Sequence, residues 1–265
     1  MLEQVRDFYT EYNEDGRLGR HSLELVRSQE IISRYLRRDP MRIADIGGAS
    51  GAYSFWLASQ GHDVCLLDIT PKHIGLAMRK AEETGIRLAE YRCADARELP
   101  YADESFDLVL VMGPLYHLQR RGDRIRCLGE SRRALKTGCP VLCAVISRYA
   151  SMVDGFKYSL VRDERFQAIL KRDLETGCHH NPERVEDYFT DAYFHTAEEI
   201  RDEMSEAGFA DVRLIAVEGF ANALNGDELC EDAEIAPQLL ECIRITESVP
   251  ELMGVSGHII AAGTK

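Results

Sequence analysis

Ile43-Ala44-Asp45-Ile46-Gly47-Gly48-Ala49-Ser50-Gly51-Ala52-Tyr53-Ser54-Phe55-Trp56 reads as an apolar strand, a glycine-rich turn and the start of a helix. Glycines allow a tight turn, and the turn meets the positive end of the helix dipole, so the segment has the form of a cradle for a ligand. The pattern continues outward from it. Further strands are expected at 62–67, 88–93, 106–112 and 140–146, with helices at 53–60, 72–84 and 121–136. Apolar strands separated by helices of this length imply a parallel sheet covered on both faces, because parallel crossovers need that many residues and bury both sides of the sheet. The expected fold class is α/β, doubly wound, with Trp56 in its core.

The flanks differ in texture. Residues 1–40 form a polar helical leader, with helical spacing of Leu23, Val26, Ile31, Ile32 and Tyr35 and a closing Pro40. From 147 to 195 the alternation stops: the stretch is polar and aromatic, with a helical fragment at 161–174 and no clear strand, and reads as an insertion. Thr196-Ala197-Glu198-Glu199 is a capping box that opens a helix ending at Gly208. A strand at 212–218, a helix near 233–247 and a last strand at 258–262 follow. One domain over 1–265 is therefore expected: leader 1–40, core 41–146, inserted lid 147–195 and C-terminal part 196–265.

The 265 residues carry 45 acidic and 32 basic side chains, a formal charge of −13. That balance disfavours nucleic acid and anionic membranes as partners. The charge is uneven, however: residues 196–265 hold 15 acidic and 4 basic groups, whereas 41–146 hold 13 and 14. The acidity therefore describes mainly a solvated C-terminal surface. No stretch approaches the roughly 20 apolar residues of a membrane helix, and Met1-Leu2-Glu3-Gln4-Val5-Arg6-Asp7 is not followed by the apolar run of a signal peptide. A cytoplasmic protein is expected. Eight cysteines without a C-x-x-C pair read as reduced, mostly buried thiols. Cys139 and Cys143 bracket an apolar strand, which sets them roughly 13 Å apart, too far to share an ion, so neither they nor Cys178-His179-His180 are assigned to a metal.

Two carboxylates stand at matched strand ends. Asp68 closes the second strand, 17 residues after Gly51, where a doubly wound fold places an acid to accept hydrogen bonds from a ribose diol. Asp95 follows the third strand in Cys93-Ala94-Asp95-Ala96 and suits a ligand whose adenine amino group is read. Either alone is also an ordinary loop cap; together they point to one nucleoside crevice.

The run Asp45 to Gly51, then Asp68, then Ala94-Asp95-Ala96-Arg97-Glu98-Leu99-Pro100-Tyr101 and Ser105-Phe106-Asp107-Leu108-Val109, resembles class I S-adenosylmethionine-dependent methyltransferases of the small-molecule type. The resemblance implies a Rossmann-like, mostly parallel seven-stranded sheet with an antiparallel last strand. It also implies S-adenosyl-L-methionine as cofactor, S-adenosyl-L-homocysteine as product, and a cofactor site formed by Asp45, Gly47, Gly48, Gly51, Asp68, Ile69, Asp95, Ala96, Met112 and Gly113. Ala49 departs from the family pattern, which has glycine there, and altered turn geometry is expected rather than lost binding.

Methyl transfer from a sulfonium is an in-line displacement that asks for alignment, exclusion of water and an optional general base. The fourth strand ends in Gly113-Pro114-Leu115-Tyr116-His117-Leu118, at the carboxyl edge where ligands bind. Gly113 offers no side-chain acceptor to a base or glutamine amine, so the acceptor is expected to be an O, N or S atom of a small molecule. RNA methylation, or a regulatory protein that binds the cofactor without catalysis, are the alternatives. His117 suits a general base; Tyr193 and His195 in the lid are the other catalytic candidates. Tyr116, Arg148 and Tyr149 are candidate substrate contacts, with Tyr9 and Tyr12 closing from the leader.

Overall fold

The computed structural model describes residues 22–37, 40–185 and 188–265, so the expectation for Tyr9 and Tyr12 lies outside the described residues. The elements in chain order are α1 (Ser22–Ser33), β1 (Arg42–Ile46), α2 (Ala52–Ser59), β2 (Asp63–Asp68), α3 (Pro71–Thr84), β3 (Glu90–Cys93), β4 (Leu108–Val111), α4 (Pro114–His117), α5 (Arg121–Ala134) and β5 (Pro140–Ile146). They are followed by α6 (Ala150–Lys157), α7 (Glu164–Thr176), β6 (Cys178–His179), β7 (Ala192–Tyr193), α8 (Ala197–Glu206), β8 (Ala210–Ala216), α9 (Gly226–Glu231), α10 (Ala236–Thr246), α11 (Pro250–Met253) and β9 (His258–Thr264).

The main sheet has the order β3-β2-β1-β4-β5-β9-β8. The first five strands pair in parallel, and β9 alone runs against both its neighbours. This is the expected doubly wound sheet with its antiparallel last strand. Successive strand residues point to opposite faces, and both faces are apolar. Ala44, Ile46, Val109, Val111, Val141 and Cys143 pack on the side of α5 and α8 through Cys127, Leu128, Ile200 and Met204. Ile43, Leu108, Leu110, Leu142 and Ala144 pack on the side of α1, α2 and α3 through Ile31, Ile32, Phe55, Leu57 and Ile74. Trp56 is only partly buried against this second layer.

The insertion is more ordered than its composition suggests. Its helix starts at Glu164 rather than 161, because Asp163 caps the Arg165 N–H and residues 160–162 form a separate 3-10 turn. It also contains a two-stranded antiparallel ladder, β6 with β7, each strand too short to show a period of two in sequence. Its aromatics form two small clusters: Phe194 and Ala192 pack against Tyr116 and Ile146 of the scaffold, and Phe166 packs with Ile169 and Tyr188 within the insertion. The thiols are free, but only Cys65, Cys127 and Cys143 are buried, while Cys93 and Cys242 are exposed, so the expectation of mostly buried thiols is corrected. Those two lie at a strand end and on the outer face of α10.

An ion-pair network bolts the insertion and α8 to α5. The Arg124 guanidinium, 1% exposed, donates to both Glu203 oxygens at 2.6–3.0 Å and to the carbonyls of Leu118 and Gln119 at 3.0 and 2.8 Å. It also lies 3.7 Å from the Tyr193 ring centroid. Burial raises the Glu203 carboxyl, but His195 and Arg124 outweigh it and hold it down at about 2. Removing one partner of a buried pair strands the other charge. Arg124→Met is therefore expected to lower unfolding stability by about 3–5 kcal/mol in urea melts, with much of the loss recovered on adding Glu203→Leu. A single variant as stable as the wild type would refute this role.

Candidate active site

Asp45, fully buried near the end of β1, accepts a hydrogen bond from the Ser54 hydroxyl at 2.6 Å, while its Oδ1 has no hydrogen-bond partner. The chain then leaves the sheet. Gly47 has φ +69°, and a Cβ there would lie 2.5 Å from the Pro114 ring, so this position requires glycine on both counts. Its N–H donates to the Leu67 carbonyl at 2.7 Å, which ties the turn to β2. Ala49 adopts φ +49°, the left-handed region that costs a residue with a Cβ about 1 kcal/mol. Alanine thus takes a glycine-like conformation at the position where the sequence departs from the family pattern. Gly51, φ +88°, caps α2.

What holds Ala49 in that conformation is Asp68. Its Oδ2 accepts the Ala49 N–H at 3.0 Å, and its Oδ1 accepts the Thr70 N–H at 2.8 Å and faces His73 Nδ1 at 3.1 Å. A carboxylate has about four lone-pair sites, so one remains for a ligand hydroxyl. Asp95, at the end of β3, is engaged with Arg97 through several contacts, of which Nη2 to Oδ2 is 2.7 Å. Partial burial raises its carboxyl, yet the Arg97 hydrogen bonds and charge prevail and leave it below the usual range. Gly113 begins α4 against the turn: a Cβ there would come within 3.0 Å of the Gly47 carbonyl. Its lack of a side chain therefore has a packing reason as well as a chemical one.

These loops line a cleft at the carboxyl edge of the sheet, where doubly wound folds bind their ligands. Gly47, Asp68, Ile69, Asp95, Ala96, Gly113, Tyr116 and His117 all line it. Gly48 and Met112 line an adjoining cleft that shares Gly47, Ala49 and Tyr116 and is walled by Glu24, Leu25 and Gln29 of α1. Tyr116 donates its hydroxyl to the Met112 carbonyl at 3.1 Å, and the His117 ring packs against Tyr116 and Phe189, centroids 4.6 and 6.1 Å away. Asp45 and Gly51 support the turn from behind and line neither cleft.

Four expected contacts lie elsewhere. Tyr193 donates to Glu199 at 2.9 Å, and His195, wholly buried, faces Glu203 at 3.3 Å. Burial pushes the His195 imidazole below its ordinary value, only partly offset by Glu203. Arg148 is spent on Glu199, at 2.6 and 2.7 Å, and on the Phe194 carbonyl, and Tyr149 packs on Gly254. Tyr193, His195 and Arg148, expected as catalytic or substrate contacts, are instead engaged in the network that mounts the insertion, while the expected substrate contact Tyr149 packs on Gly254; none of the four lines either cleft. Conversely, Thr70, His73, Pro114 and Leu118 line the cleft without having been singled out. The Thr70-Pro71 helix start after Asp68 was the available signal, since it turns the chain toward the crevice.

Residues 44–143 match the family model described as "Methyltransferase domain". With the sheet order and the glycine turn, this match supports a likeness of the domain built around them to the class I S-adenosylmethionine-dependent methyltransferases. Among curated proteins, the chain is 34% identical over 108 residues to a ubiquinone biosynthesis O-methyltransferase of Cereibacter sphaeroides, covering 41% of this chain and 42% of that protein. A protein of the same name from Azorhizobium caulinodans is 32% identical over 169 residues, 64% of this chain and 58% of that one. The matches thus span about half the length of these relatives. Among solved structures, a methyltransferase of Thermotoga maritima, described as a possible histamine N-methyltransferase, superposes with a TM-score of 0.62 at 19% identity over 100% of both chains, a likeness of fold.

Burial, with the nearby Asp68 charge adding to it and Ser54 opposing, pushes the Asp45 carboxyl up to about 6 from 3.8. The native state therefore holds this proton more tightly than the unfolded chain. The associated stability is full below about pH 4 and lost as pH rises through 6. Asp45→Asn is expected to match the wild type near pH 4 and to exceed it by on the order of 2–3 kcal/mol at pH 8. A pH-independent difference in denaturant melts would contradict the assignment.

Proposed function

We propose that this chain transfers a methyl group from S-adenosylmethionine to a heteroatom of a small molecule, with oxygen favoured over nitrogen or sulfur. The observation that carries the reading is the single cleft in which Gly47, Asp68, Asp95, Ala96, Gly113 and His117 meet. The choice of oxygen draws on the curated relatives named as O-methyltransferases.

The residues present fit this cofactor. Asp68 has a lone-pair site left for a ribose hydroxyl, the Ala94-Asp95-Ala96 loop suits an adenine edge, and the crowded Gly47 turn opens backbone toward the cleft. When bound, S-adenosylmethionine supplies an electrophilic methyl carbon. The chain's own contribution is then to orient the acceptor, exclude water and take its proton. His117 lies at the end of α4 on the cleft wall, packed against Tyr116 and Phe189, which supports giving it the last of these roles.

In calorimetric titration, wild type is expected to bind S-adenosylhomocysteine and Asp68→Ala to bind it at least about tenfold more weakly, the effect of losing one charge-assisted hydrogen bond. His117→Ala is expected to lower kcat about 100-fold, as loss of a general base does, with affinity for S-adenosylhomocysteine near wild type. No binding by the wild type would defeat the cofactor reading, and an unchanged kcat would make His117 a packing residue.

A further inference from the structure

Three residues far apart in sequence converge where the rim of the cleft meets the far half of the sheet. Glu24 sits in the first turn of α1, Glu218 lies two residues beyond the end of β8, and His258 is the first residue of β9. One ligating atom from each lies within 4.8 Å of the other two. His258 Nδ1 is 2.7 Å from Glu218 Oε1 and 3.9 Å from Glu24 Oε2. Ligand atoms around one divalent ion stand about 3.0–3.4 Å apart, given bonds of roughly 2.0–2.2 Å in octahedral or tetrahedral array. The two measured separations bracket that span, and rotation of the terminal Glu24 carboxylate is the adjustment that closes it.

The surroundings are those of a held ligand. Glu218 is 7% exposed, and its Oε2 accepts the His258 N–H at 2.9 Å and the Ser256 hydroxyl at 2.8 Å. The Ser256 oxygen in turn accepts the N–H groups of Glu218 and Gly219 at 3.1 and 3.0 Å. One carboxylate oxygen is thereby fixed by outer-shell hydrogen bonds while the other faces the imidazole, the arrangement that orients metal-binding carboxylates.

We propose that Glu24, Glu218 and His258 form a divalent-cation site of two carboxylates and one imidazole. The donor set is oxygen-rich with one nitrogen, which suits manganese(II) or zinc(II) and excludes soft ions that want thiolates. Three protein ligands leave coordination positions open to water or an acceptor oxygen. Glu24 also walls the cleft beside Met112 and Tyr116, so a bound ion pins α1, and with it that wall, to the ends of β8 and β9. The site does not rest on the methyl-transfer reading.

The test is titration of the full chain, stripped with chelator, with manganese(II) alone; manganese is chosen because the eight free thiols compete for zinc. The expected result is saturation at one equivalent and a rise in Tm with manganese concentration. Glu24→Ala and His258→Asn should each weaken binding by more than about tenfold, the lower end of what loss of even an outer-shell partner costs. Circular dichroism establishes that each variant is folded, and should His258→Asn fail to fold, Glu24→Ala alone decides. Absence of manganese uptake by the wild type, or undiminished uptake by folded Glu24→Ala, overturns the proposal. Binding of S-adenosylhomocysteine measured in the same samples keeps a failure here distinct from a failure of the proposed activity.

Discussion

The Asp68 carboxylate is the group on which the ligand-binding edge depends. It ends β2, yet its bonds reach forward to the Thr70 N–H at the start of α3 and across to the Ala49 N–H in the turn after β1. Hydrogen bonds to an ionised acceptor contribute about 1.5–3 kcal/mol each, enough to hold alanine in a left-handed conformation that costs about 1 kcal/mol. The ribose-binding candidate and the strained turn are therefore not two features. The same oxygens that would meet a ligand fix the loop that would cradle it, and His73 packs behind them.

The opposite wall of the cleft is set from much further away. The end of α4, where His117 sits, is held by two carbonyls, those of Leu118 and Gln119, that accept from Arg124. Arg124 is in turn fixed by Glu203 of α8, and Glu203 by His195 at the end of the insertion. The position of a candidate base thus depends on polar groups contributed by three segments and buried together. A network of this kind gives little net stability over an apolar core, but it has one satisfied geometry.

The strand and helix order was legible because the central strands are apolar on both faces and the crossovers are punctuated by glycine or proline, signals that survive in a single sequence. Asp68, Asp95 and Gly47 were legible for a related reason: topology places strand ends at one edge whatever the packing. The ion-pair engagement of Tyr193, His195 and Arg148 was not legible, because a polar side chain near a strand end looks the same in sequence whether it faces a ligand or an ion pair. Their partners, Glu199, Glu203 and Arg124, lie on helices whose facing sides only the fold reveals. The convergence of Glu24, Glu218 and His258 spans more than 230 residues and leaves no local trace.

The inserted segment is closed at its base. Ser147 bridges His195 in parallel, the Arg148 N–H donates to the His195 carbonyl at 2.8 Å, and the His195 N–H donates to the Ile146 carbonyl at 2.8 Å. The chain leaves and rejoins the scaffold at adjacent points, so the geometry of the sheet is indifferent to what lies between them. Closing a longer or shorter loop between fixed ends changes its entropic cost only slowly with length. Evolution can therefore exchange or resize this segment, and with it the shape presented to an acceptor, as a cassette. The strands that would carry the cofactor need not be redesigned when the substrate changes.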